Sequence, residues 1–182
     1  MNRKMLLIAA LCAALLVVPG RAPLAASKEE IDARVTEAIA EFYKHTGAGR
    51  QLAQKAAGML VFPNVIKAGI GIGGEYGEGA LLIRRRTVGY YNTVSASIGF
   101  QLGVQARSVI IMFMTPEALD QFRATAGWKI GADASVAIIT VGVGGSIDTN
   151  KITSPVIGFI LDPKGLMYNL TLEGSKISRI DR

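Results

Sequence analysis

Cysteine is almost absent from the chain. The single one, Cys12, lies in the N-terminal apolar segment, so the remainder can form no disulfide and must rely on core packing. Histidine is equally scarce. His45 alone would have to serve any Ser–His–Asp arrangement, and no G-x-S-x-G elbow accompanies it. Cys/His metal centres are excluded by count, and no residue set calls for a cofactor. Acid is missing over a long stretch: no Asp or Glu occurs between Gly79 and Pro116. Apart from the N-terminus, no long apolar run interrupts the chain.

That N-terminus reads Met1-Asn2-Arg3-Lys4, then apolar from Met5 to Val18, then Pro19-Gly20 and the small pair Ala25-Ala26. A basic start, a short apolar stretch and small residues predict a secretory signal peptide over 1–26. Cys12 allows a lipoprotein alternative, but Leu11 beside it makes a poor lipobox. Cleavage would remove Arg3, Lys4 and Arg21 and lower the formal charge from +6 to +3. The expected protein is exported, periplasmic or secreted. A modest charge and an export signal argue against nucleic-acid binding. Residues 27–182 are enough for one domain with its own core.

Ile31, Val35, Ile39 and Phe42 recur at helical spacing and predict a helix over 28–45, capped by Ser27. Its polar face carries Lys28, Arg34 and Lys44 against five acids, which suits packing on a sheet better than an anionic membrane. Phe42 and Tyr43 remain candidates for acyl-chain contact. A second helix is expected over 50–60, ended at Phe62-Pro63-Asn64. Thr115-Pro116-Glu117 starts a third, ended at Gly127, with Leu119, Phe122 and Ala126 facing the core. Strands are expected near 66–74, 79–85, 88–104, 107–114, 129–145, 152–161 and 166–173. Short turns at 75–78, 148–151 and 162–165 imply antiparallel neighbours. The fold class is therefore α+β: N-terminal helices packed on a strongly curved antiparallel sheet or partial barrel.

Gly69-Ile70-Gly71-Ile72-Gly73-Gly74 is a literal G-x-G-x-x-G. A dinucleotide loop needs a helix to start at its last glycine and an acid about 20 residues on. Here Gly77 and Gly79 follow at once, and the acid is missing. Read with the period of a strand, Gly69, Gly71 and Gly73 instead strip one face of side chains. Glycine in a strand interior is kept where a sheet bends or another surface comes close.

Phe62-Pro63, Lys67-Ala68-Gly69-x-Gly71-x-Gly73-Gly74, Gly77-x-Gly79, Gly158-Phe159-Ile160 and Leu170-Thr171-Leu172-Glu173-Gly174 together resemble the SYLF domain family. The resemblance spans roughly residues 30–182. It implies a domain that binds phosphoinositides and other anionic lipids without catalysis; the family also includes secreted bacterial proteins. Actin binding belongs to the eukaryotic members.

Charge placement agrees with that implication. Arg84, Arg85, Arg86 and Arg107 stand in the acid-free stretch, and Lys67 opens the glycine run. If the chain between them folds back, they meet at one edge, and a guanidinium can bond two phosphate oxygens at once. The candidate lipid-binding residues are thus Lys67, Arg84, Arg85, Arg86 and Arg107, with apolar contact from Tyr90 or Tyr91. The expected partner is an anionic phospholipid membrane. The competing partner is a protein of the envelope or host. An eight-stranded outer-membrane barrel conflicts with Arg84–Arg86 interrupting a lipid-facing band. An acid–base enzyme would have to use Glu75 and Glu78, flanking an expected hairpin tip.

Overall fold

The computed structural model describes residues 25–139, 153–161, 172 and 174–182; for 69–72 and 97–103 it describes the backbone only. Residues 1–24 of the expected signal segment, Cys12 among them, and the turns at 148–151 and 162–165 lie outside these residues, as does nearly all of the strand expected at 166–173. Helix α1 spans Lys28–His45, as its periodicity predicts. The Ser27 hydroxyl accepts from the amide of Glu30, and Glu29 and Glu30 sit at the positive end of the helix dipole. Helix α2 is shorter than expected, Gly49–Lys55, because Met59 and Leu60 are drawn into the sheet.

Two strands dominate. β1 runs Gly58–Ile83 and β2 runs Arg86–Phe113, paired antiparallel along their length. The four separate strands expected over this region are therefore two, and the tip expected at 75–78 lies inside β1. The turn is instead Arg84-Arg85, both with positive φ (50° and 65°), the backbone of a tight two-residue hairpin. The break expected at Phe62-Pro63-Asn64 is a bulge, where the register slips between Phe62 and Val65.

After β2, helix α3 (Pro116–Ala124) starts at Thr115, whose side chain accepts from the amide of Ala118. Gly127 follows with φ +69°, the left-handed conformation that reverses the chain. Leu119 and Phe122 are buried as expected; Ala126 is not, because the helix has already ended. Short strands β3 (Trp128–Lys129) and β4 (Ala137–Ile138), then β5 (Val156–Leu161) and β6 (Lys176–Ile180), complete six strands among the described residues. Their order is β3-β6-β2-β5-β4, with β1 also on β2. The sheet curls into a half-barrel. It is mixed rather than purely antiparallel, since β4 pairs parallel to β5.

Both faces of the sheet are buried where the hairpin base lies. Leu60, Phe62, Ile111, Phe113 and Ile160 join α3 and Trp128 on the inner side. Met59, Val61, Ile110, Met112 and Phe159 meet α1 and α2 on the outer side. That is why residues 109–113 read as an unbroken apolar run. Phe42, a candidate for lipid contact, is fully buried against Phe159, with ring centroids 4.8 Å apart.

The G-x-G-x-x-G is strand, with Gly69 opposite Gly103, Gly71 opposite Gly99 and Gly73 opposite Ser97. No helix follows it. Beyond this glycine stretch the hairpin doubles back, so the later part of β1 lies against its earlier part. A Cβ on Gly77 would come within 2.9 Å of Val65 and 3.0 Å of the Asn64 carbonyl; one on Gly79 would overlap the Val61 carbonyl outright. Gly79→Ala is expected to cost at least about 3 kcal/mol, the upper range for overpacking, because backbone and not a mobile side chain is in the way. Urea unfolding of the purified variant checks this.

Candidate functional site

The expected basic cluster divides into two groups. Period-two alternation puts Val65, Lys67, Glu75, Thr93 and Arg107 on the inner face of the hairpin. Arg107 is buried there, and its guanidinium donates to the Glu75 carboxylate at 2.5 Å. The Lys67 ammonium stands 3.6 Å from the other Glu75 oxygen, at the partly exposed mouth. Arg107 and Lys67 come from the outgoing arms and Glu75 from the returning one, so the acid ties the doubled hairpin together. A cavity of ≈ 10 Å³, room for one water, lies beside them among Phe62, Val109, Ile130 and Ile177. Nε of Arg107 has no partner among the described residues.

Arg84, Arg85 and Arg86 are elsewhere. They occupy the hairpin turn and the first position of β2, exposed, without an ion pair among the described residues. From Glu75 to Ile83 the strand advances eight residues, roughly 26 Å at the usual rise. The folding back that was expected to gather all the cations thus occurs at the glycines and separates them. Two non-glycine residues in left-handed backbone are costly, which makes the arginine pair a notable choice at a turn that favours Asn-Gly.

The tyrosines are engaged as well. Tyr90 donates to one oxygen of Asp32 and Thr87 to the other, both at 2.9 Å, fastening α1 to the strand beside the arginine turn. Tyr91 is buried against Phe122, with centroids 5.1 Å apart. Burial, and then the Asp32 carboxylate, raises the Tyr90 pKa; burial raises that of Tyr91, partly offset by Arg179 and Arg123.

Glu75 and Glu78 cannot act as a pair. They lie on opposite faces of β1, Glu75 toward Arg107 and Glu78 toward Arg182, which donates to it together with the Tyr76 hydroxyl. His45 bonds Glu41 at 2.7 Å on an exposed helix end, at the rim of a shallow groove of ≈ 430 Å³. Ser108 lines the same groove, but its hydroxyl donates to the Pro63 carbonyl. Among the described residues no group of three or more His, Cys, Asp or Glu is placed to hold a metal.

Residues 94–181 match the family model described as Ysc84, the Las17-binding protein actin regulator. The match is consistent with the SYLF domain family. The match begins within β2 and runs through β6, so the SYLF pattern covers the sheet-rich half. The glycine run at 61–83, where the resemblance is read most readily, precedes it. SYLF is a binding-domain family. No curated protein matches the chain.

Two outcomes test the geometry. Glu75→Ala strands a buried guanidinium and is expected to cost about 3–5 kcal/mol, whereas Lys67→Ala, at the wet mouth, costs under about 1 kcal/mol. Equal losses in urea unfolding would refute the difference in burial. The tyrosines set an alkaline limit. Each stays protonated to a higher pH in the folded chain than in the unfolded one, above the ordinary value of 10.0. The unfolded state then binds fewer protons, so stability is unaffected by these groups below about pH 10 and falls as pH rises through the folded values. Tyrosinate absorbance and the melting temperature, followed together from neutral to strongly alkaline pH, report both.

Proposed function

We propose that this chain is an exported, non-catalytic module that binds anionic phospholipid head groups, phosphoinositides included, through the turn Arg84-Arg85-Arg86. The observation that carries this reading is three consecutive arginines at an exposed hairpin turn, none of them in an ion pair among the described residues. Guanidinium groups present paired donors to phosphate oxygens, and each basic residue near an anionic surface contributes about 1 kcal/mol. Lys67 and Arg107 take no direct part, because Glu75 already holds them. Tyr90 and Tyr91 support the strand behind the turn. The expected localisation is periplasmic or secreted, peripheral on a membrane.

One observation favours a second reading. The matching family model carries the description of a protein-binding regulator, Las17-binding and acting on actin. On that reading the turn meets an acidic protein of the envelope or host.

Liposome co-flotation of residues 27–182 separates the two. Binding to phosphatidylglycerol or phosphoinositide vesicles at low salt is expected, with none to neutral vesicles under the same dilute conditions. Arg84→Glu/Arg86→Glu should weaken it by roughly thirtyfold, from about 2 kcal/mol of lost attraction. Unchanged flotation of the variant would remove the turn as the site. No flotation, with a stable protein complex on pull-down, would put the second reading first.

A further inference from the structure

On the stretch where β1 and β2 pass through the glycine bend, the usual arrangement of a sheet in water is reversed. The inner face carries Val65 opposite Arg107, Lys67 opposite Gln105, glycine or serine at the next three pairs, then Glu75 opposite Ser95. Apart from Val65, which belongs to the core, it is polar or bare. Among the residues whose side chains are described, the outer face carries Ile66 opposite Ala106, Ala68 opposite Val104, Gly74 opposite Ala96 and Tyr76 opposite Val94. No charged, amide or hydroxylic aliphatic side chain occurs in these four pairs.

Among the described residues nothing covers this apolar face. Val104 is 74% exposed, Val94 and Tyr76 47% each, and Ile66 42%. Ala68, Ala96 and Ala106 are exposed too. Farther along the same face, Ala80 and Leu82 are covered by α1, so the helix stops short of the stripe. A soluble sheet normally turns its apolar positions inward and its polar ones to water. Apolar outside and polar inside is the pattern of strands that face hydrocarbon.

We infer that the outer stripe from Ile66 to Tyr76, with its partners Val94 to Ala106, is a second membrane contact that rests on the acyl region of a bilayer. Two observations favour lipid over a protein. The stripe offers no hydrogen-bonding or charged side chain except at its Tyr76 end, whereas protein interfaces are specified by such groups and by aromatic and arginine anchors. Tyr76 sits at that end, with its hydroxyl on Glu78 beside Arg182, an apolar ring with a polar tip as at bilayer interfaces. Charge is complementary as well. The hairpin segments 64–76 and 94–108 contain Lys67, Arg107 and Glu75, a net positive charge, and their single acid is buried in its ion pair. Nothing on them repels an anionic head group. The stripe shares the bilayer with the arginine turn but none of its residues, so either contact can stand without the other.

The test uses residues 27–182 at high salt and high vesicle concentration, where arginine attraction is screened. Vesicles are phosphatidylcholine alone or with phosphatidylglycerol. Wild type and Arg84→Glu/Arg86→Glu should both retain a bound fraction. Val104→Asp and Val94→Asp, exposed positions expected to leave the melting temperature unchanged, should each weaken it by roughly tenfold. Val104→Trp should shift its emission to the blue on binding and be quenched by lipids brominated in the acyl chain. Bound Val104→Asp at the wild-type level, an unquenched Val104→Trp, or no binding at high salt would overturn the inference. So would a wild-type dimer in solution that Val104→Asp dissolves, which would make the stripe a contact between copies. Loss of low-salt capture in the arginine variant with retained high-salt binding would separate the two contacts.

Discussion

The close passage of β1 over itself governs the rest of this molecule. Gly79 lies on the Val61 carbonyl with no room for a Cβ, and Gly77 lies almost as close to Asn64 and Val65. A hairpin of this length would otherwise be a flat two-stranded ribbon, unstable alone and open at its edges. Doubling it back makes an inside. The inside is where Phe62, Val109, Phe113 and Trp128 find one another, and where α3 closes the end. The bend itself runs through glycines paired with glycine and serine, the small residues kept in a strand where a sheet bends.

Electrostatics follows from that bend. Cations that the chain spreads over forty residues are sorted into a buried clamp, Arg107 and Lys67 on Glu75, and an exposed turn, Arg84–Arg86. The buried pair gives position more than net stability, since its desolvation offsets much of the attraction. It fixes the two arms in one register. The turn, by contrast, is exposed, and the Asp32 bonds to Thr87 and Tyr90 hold the strand behind it against α1. The two cation groups therefore do different work, although they look alike along the chain.

Legibility varied with the range of the interactions. Helix α1 was readable to its ends from Ser27, the spacing of Ile31, Val35 and Phe42, and the glycines that follow, all local signals. The α3 start at Thr115-Pro116 was equally plain. Glu75 to Glu78 looked like a turn because two acids among glycines are usually solvated. Their true roles depend on Arg107, 32 residues away, and Arg182, 104 residues away, which no local pattern reports. The apolar alternation of Ile66, Ala68 and Val104 was visible in the letters, but which face met water was not.

The sequence alone determined the class of the molecule: an α+β chain with one cysteine and one histidine, with capped helices, glycine-period strands, an acid-free basic stretch and the SYLF pattern. These follow from composition and from interactions between near neighbours, which the order of residues encodes directly. Only the tertiary structure decided that two strands, not four, form the hairpin, that Arg107 turns inward while Arg84–Arg86 turn outward, and that an apolar stripe is left on the outside. Each of those depends on where the hairpin folds back on itself. That place is set by the contact of distant backbone segments, and period-two alternation alone cannot say which side of a strand will become the inside.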